Sequence, residues 1–239
     1  MEATSNAPAT APEKASVFED FIDIFASPAK VFARRANGSF GMQLLIVSVI
    51  AALFFFAGRS VMSQIFDAEF SRRAAEAMAK NPRITQDMMN SQRNVMEKMT
   101  TFGAYVATPI IVLVMGVLLW LSAMIAQAKI RYAQAATIIT LAWVPRLVGS
   151  VITTLLIVLT DTSNITSPAQ LTFSPARFMN PDTGNQKLIA ILGNFDVFTL
   201  WYTVLIGIGV SVMAKVPRSK GYIAAAVLFI ITMLPAFFR

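Results

Sequence analysis

Neither cysteine nor histidine occurs anywhere in the 239 residues. Without cysteine there are no disulfides and no thiolate nucleophiles or ligands. Without histidine there are no imidazole ligands and no imidazole proton transfer. The usual zinc sites and His-ligated haem go with them. Charge is scarce too: 14% of residues are Asp, Glu, Lys or Arg, against about a quarter in soluble domains. What remains is apolar, with 56% hydrophobic residues and a positive mean hydropathy. Such a chain belongs in a bilayer. Its net charge of +7 needs no nucleic-acid partner, because Lys and Arg at the ends of membrane spans account for it. No metal and no cofactor is expected.

A helix needs roughly 20 mostly apolar residues to cross the hydrocarbon core, and five stretches qualify. "MQLLIVSVIAALFFFA" fills the interval between Arg35 and Arg59. "TFGAYVATPIIVLVMGVLLWLSAMIAQA" lies between Lys98 and Lys129, and a third run goes from Tyr132 to Thr160, broken only by Arg146. "VFTLWYTVLIGIGVSVMA" and "GYIAAAVLFIITMLPAFF" complete the set. The fold class expected is all-α, a polytopic bundle of five transmembrane helices. The short turns "KIRYAQ" and "KVPRSKG" carry Lys129, Arg131, Lys215, Arg218 and Lys220 with no acid, and Lys30, Arg34 and Arg35 precede the first span on the same side. Basic bias of short loops marks the cytoplasmic face, which puts the N-terminus inside and Arg239 outside. Residues 59–101 then carry seven basic residues on the outer side.

Residues 1–15, rich in Ala, Pro, Ser and Thr, lack the basic-then-apolar plan of a signal peptide and read as a disordered tail. Residues 16–36 read as amphipathic cytoplasmic helices, and 37–239 as the membrane domain. In the former, Ser16 and Glu19 form a capping box, and Phe18, Phe21, Ile22 and Phe25 fall on one face. Glu19, Asp20 and Asp23 lie away from that face. Ser27-Pro28 starts a second helix, whose Lys30, Arg34 and Arg35 suit anionic headgroups. The acidic helix is expected to fold under the bundle against the basic turns or to dock a partner, with Glu19, Asp20, Asp23, Phe21 and Phe25 as the docking candidates.

Residues 59–101 predict an extramembrane helical hairpin. Met62, Phe66, Phe70, Ala74 and Met78 line one helix; Asn81-Pro82 breaks it. Thr85 caps a second, in which Met88, Val95, Met99 and Phe102 form a stripe. Met88, Met89, Met96 and Met99 read as a flexible helix–helix contact rather than a copper(I) thioether site. The loop 161–194 is rich in turn formers. It holds an Asn164-Ile165-Thr166 sequon and an apolar "LIAILG" piece that suits an interface.

Arg146 is the charge within a span. A charge there costs at least about 2.5–3.5 kcal/mol on insertion scales, so it faces protein or water. It either bonds backbone carbonyls freed by Pro145 or snorkels outward, or else serves a substrate, an ion or a lipid phosphate. Asp196, at the start of the fourth span, is the available counter-charge but suits a helix cap better. Gly207 and Gly209 read as sites of close helix packing. No Ser-His pair, mid-span Asp pair or phosphate loop is present, so no catalytic residue is assigned.

Three stretches together resemble the Yip-domain (Ypt-interacting-protein) family in its short bacterial-type form: "FIDIFASPAKVFARR", "YAQAATIITLAWVPRLVGSVI" and "FDVFTLWYTVLIGIGVSVMAKVPRSKGYIAA". The resemblance covers residues 17–239. It implies a five-helix bundle with a cytoplasmic N-terminus in a bacterial inner membrane, and no catalytic residues. Eukaryotic members bind Rab-type GTPases and one another, which implies GTPase binding; this chain departs from them in its short N-terminal region. The function expected is a non-enzymatic membrane scaffold or assembly factor, partnered by lipid and by other membrane proteins or copies of itself. The alternative is a transporter or channel subunit built on Arg146 and proline-kinked spans.

Overall fold

In the computed structural model residues 16–159, 167–181 and 183–237 are described. The expected tail 1–15 and the sequon at Asn164 lie outside them. Ser16 opens α1 (Val17–Ala26) with the reciprocal cap: its hydroxyl accepts from the Glu19 N–H at 3.2 Å, and the Glu19 carboxylate accepts from the Ser16 N–H at 2.5 Å. Pro28 begins α2 (Pro28–Arg35), where a missing N–H is no loss. The Ser27 side chain makes no capping bond. Its carbonyl accepts from the Lys30 and Val31 N–H groups instead.

The next two helices are long. α3 (Gly41–Lys80) and α4 (Gln86–Ile125) have 40 residues each, about 60 Å of helix. Only Gly41–Arg59 and Val106–Ile125 are apolar enough to span a membrane. The hairpin expected at 59–101 is therefore the continuation of two spans, with no break between membrane and extramembrane parts. Thr85 caps α4 by accepting from the Met88 N–H at 3.3 Å. Of the four methionines expected in a helix–helix contact, Met89 is buried, as is Ala74, while Met88, Met96 and Met99 are exposed together with Val95 and Phe102 of the stripe. The Met62 side chain lies outside the description.

Pro145 splits the third span. α5 (Tyr132–Ala142) ends at Trp143 and α6 (Val144–Leu159) follows. Residues 135–142 are all buried, which makes α5 the centre of the bundle. Its composition explains this. Ala135, Ala136 and Ala142 admit close neighbours, and the Thr137 and Thr140 hydroxyls donate to the Ala133 and Ala136 carbonyls four residues back, leaving no polar group unsatisfied. Two 3₁₀ turns (168–171 and 175–178) and α7 (Gln186–Gly193) fold the described part of the long loop onto the end of the bundle.

α8 (Val197–Ala214) and α9 (Arg218–Phe237) form the most extensive helix pair. A Cβ at Gly207 would overlap the Tyr222 ring, and one at Gly221 would overlap the Ser211 hydroxyl and the Gly207 carbonyl. These glycines set the approach distance, as the sequence suggests for Gly207. The protein is an all-α, multi-pass membrane protein with five helical segments able to cross a bilayer: Gly41–Arg59, Val106–Ile125, Tyr132–Leu156, Val197–Ala214 and Arg218–Phe237.

The turns 126–131 and 215–217 meet at one end of the bundle, where the Lys220 ammonium donates to Gln127 Oε1 at 3.2 Å. We call this the basic end. The foot of the α1–α2 hairpin is fastened there: Arg131 donates to Asn37 Oδ1 at 3.2 Å, and Gln134 Nε2 donates to the Ala36 carbonyl at 3.1 Å. From that foot the hairpin climbs α8. Phe32 packs over Gly209, where a Cβ would stand 3.2 Å from its ring. Phe25, beside the Ser27 apex, meets Trp201 with ring centroids 6.1 Å apart. Trp201 lies about 21 Å along α8 from Lys215. The hairpin thus runs beside the bundle and does not lie beneath it.

Candidate functional site

Two places gather polar groups within or beside the apolar bundle. The first is Arg146, which follows directly on the Pro145 break. One of its terminal nitrogens donates to the Thr199 hydroxyl at 3.1 Å. Its Cζ lies 5.1 Å from the Trp143 ring centroid and 4.6 Å from that of Tyr202. Those two rings stand nearly perpendicular, at 86°, so they form an aromatic corner for the cation. The expectation that Arg146 bonds freed carbonyls is replaced by this hydroxyl-and-ring environment. Among the described residues no carboxylate lies within ion-pair distance of it.

Asp196 takes the capping role. Its Oδ1 accepts from the Phe198 and Thr199 N–H groups at 2.9 and 3.4 Å, and its Oδ2 from the Phe173 N–H at 2.7 Å. Its carboxylate is therefore shared among three backbone donors and pins the 167–181 loop to the start of α8.

Arg146 and Thr199 stand in the wall of a cavity of about 640 Å³ between α3, α4, α6 and α8. Phe54, Phe66, Leu171 and Phe198 give it an apolar lining. At its far rim Arg93 pairs with Asp67 at 2.8 Å and Arg59 with Glu97 at 3.6 Å. A smaller cavity of about 230 Å³ shares Arg146 and Thr199 with the larger one and is lined in addition by Tyr202. The Tyr202 hydroxyl is buried and has no hydrogen-bond partner among the described residues.

The second place is the N-terminal hairpin. Asp20 is fully buried and accepts from Arg34 Nε at 2.6 Å and from Arg35 Nε at 2.5 Å. Asp23 accepts from the other arm of Arg34 at 2.7 Å. Burial pulls the Arg34 pKa down, but the bonds from Asp23 and Asp20 outweigh it and leave the pKa raised. Arg34 and Arg35 are thus turned to the acidic helix of their own hairpin, not to headgroups. The spacing carried this signal: 20 and 34 are equidistant from the Ser27 apex, so an antiparallel pair must set them opposite each other.

The remaining docking candidates are distributed differently from their expected grouping. Glu19 closes the cap, and Phe21 packs partly against the core. Phe25 is 40% exposed, with Phe18 at 66% and Ile22 at 72% beside it, while Ile24 takes the buried position. So α1 turns inward a face bearing Asp20 and Ile24, and outward its aromatic stripe. The acidic helix does not pair with the basic turns. Lys129, Arg131, Lys215 and Arg218 are exposed and Lys220 half-buried, with no ion pair among the described residues. Lys30 is exposed on α2.

Compared with known proteins, residues 22–238 match the sequence model of the Yip1 domain. No curated protein and no solved structure gives a match.

Proposed function

The chain belongs to the Yip1 domain family, and on that premise we propose a non-enzymatic membrane organiser that works through helix packing and through an N-terminal hairpin seated in the bilayer beside α8. One observation carries this reading. The hairpin neutralises its own charges at Asp20, Asp23, Arg34 and Arg35 and presents Phe18, Ile22 and Phe25 outward beside a membrane-spanning helix. A stripe of that kind at that depth contacts acyl chains or a neighbouring span. Lys30 reaches the headgroups by snorkelling.

The docking expected of Glu19, Asp20 and Asp23 passes in this reading to the aromatic face of the same helix. GTPase binding, implied by eukaryotic members, would need another surface, such as the exposed basic turns. Orientation follows from those turns: basic end in the cytoplasm, Arg239 outside, in a bacterial inner membrane. The lack of cysteine makes this easy to test. A single cysteine at Lys129 or Lys215 should react with a membrane-impermeant maleimide only from the cytoplasmic side, and one at Ser27 from neither side. Ready labelling at Ser27 would place the hairpin in water and sink the reading of a membrane-seated hairpin.

The organising role is tested by photo-crosslinkers at Phe18 and Phe25 in cells, read by mass spectrometry. Adducts to a membrane protein, or to a second copy of this chain, are expected. Exclusive recovery of uncrosslinked monomer would refute the proposal. The alternative reading, a transporter or channel subunit, is favoured by the cavity at Arg146; liposome flux that Arg146→Leu leaves unchanged would remove that support.

A further inference from the structure

We propose that the cavity walled by Arg146 binds the phosphate of an anionic phospholipid. Of the cations that line the cavity, Arg59 and Arg93 are cancelled by Glu97 and Asp67. Asp196 has its oxygens on three backbone N–H groups. Among the described residues Arg146 is left as the lining cation with no carboxylate within ion-pair distance, and Asp196 acts on it only through space. The Trp143 and Tyr202 rings lie against the cation, and Thr199 takes one N–H. A guanidinium has five donors, so its remaining N–H groups have no partner among the described residues. A planar fork of free donors is the group that recognises a phosphate through two parallel bonds.

Depth narrows the ligand to a lipid. Thr199 is the third residue of α8, one turn inside the end of that span. Arg146 therefore stands near the level at which phosphates and glycerol backbones lie, at the end of the bundle opposite the basic turns. The cavity's volume of about 640 Å³ falls within the roughly 300–1,000 Å³ of ligand pockets. Its walls join a cluster of phenyl rings, among them Phe54, Phe66 and Phe198, to a run of hydroxyls at Ser150, Thr153 and Thr154. A guanidinium with free donors, a run of hydroxyls and a cluster of phenyl rings suit an amphiphile better than a hydrated ion, which would lose its water to rings.

The site makes demands that the scaffold reading does not, so the two fail separately. The test uses the full chain in nanodiscs of phosphatidylcholine with added phosphatidylglycerol, and native mass spectrometry of the lipid retained. Wild type should keep phosphatidylglycerol in preference to phosphatidylcholine. Arg146→Gln should lower that preference about tenfold, the effect of losing one charge-assisted pair of bonds. Arg146→Lys should fall between them, since it keeps the charge but not the fork. Ser150→Trp fills the cavity without altering the cation and should lower retention as much as Arg146→Gln, which keeps the test decisive if the latter misfolds. Equal preference in wild type and Arg146→Gln, or undiminished retention in Ser150→Trp, would overturn the proposal. Displacement of the lipid by millimolar inorganic phosphate would reassign the site to a free oxyanion and overturn the lipid assignment.

Discussion

Asp20→Asn should unlatch the N-terminal hairpin and cost about 3–5 kcal/mol, the usual result of removing one partner of a buried ion pair. The size comes from the two cations left behind. Asp20 is fully buried between Arg34 and Arg35, whose side chains are 18% and 23% exposed. An amide at that position cannot satisfy two guanidinium groups, and little water reaches them. Asp23→Asn is the matched control. Its pair with Arg34 is 43% exposed on the carboxylate side, and such pairs contribute about 0–1 kcal/mol. Hydrogen exchange of residues 17–35 in detergent should show fast exchange for Asp20→Asn and near wild-type protection for Asp23→Asn. Combining Asp20→Asn with Arg34→Gln should recover part of the loss, because one orphaned charge goes with it. Equal effects from the two aspartates would mean that the latch does not rest on burial.

Gly221→Ala should be among the most damaging single-methyl additions in the protein. The new Cβ would occupy the space of the Ser211 hydroxyl and the Gly207 carbonyl. Ser211 is itself held, donating to that same carbonyl at 2.7 Å. A carbonyl in the middle of a helix cannot step aside without moving α8, so α8 and α9 must separate. Overpacking of this kind costs about 1–3 kcal/mol, and more where backbone is the obstacle. Gly103→Ala supplies the contrast. Nothing lies within 4 Å of a Cβ there, so the change should be neutral or stabilising by about 0.5–1 kcal/mol through helix propensity. Thermal unfolding in one detergent reads both. A midpoint that moves the same way for both glycines would show that helix propensity, not the α8–α9 contact, governs this position.

The local features were legible because short-range chemistry fixes them. The Ser16 box, the Thr85 cap and the Asp196 cap each need only a few residues, and all three are present. The five spans follow from runs of apolar residues. Which faces those spans bury was not legible, and the bilayer is the reason. Acyl chains are as apolar as a protein core, so Phe18 and Ile22, turned outward, carry the same signature as Ile24, turned inward. Arg146 was recognisable as the costly residue in the third span, but of its partners only Trp143 is local; Thr199 and Tyr202 sit more than fifty positions away in α8, beyond any local pattern.

α3 and α4 continue past their spans without a joint. From Arg59 to Lys80, α3 runs about 30 Å, roughly the thickness of a bilayer core. The turn at Asn81–Ile84 is therefore the tip of a stiff two-rod mast. Whatever grips that tip is held at a set height above the lipid, and that standoff is fixed by the number of helical turns in the two arms.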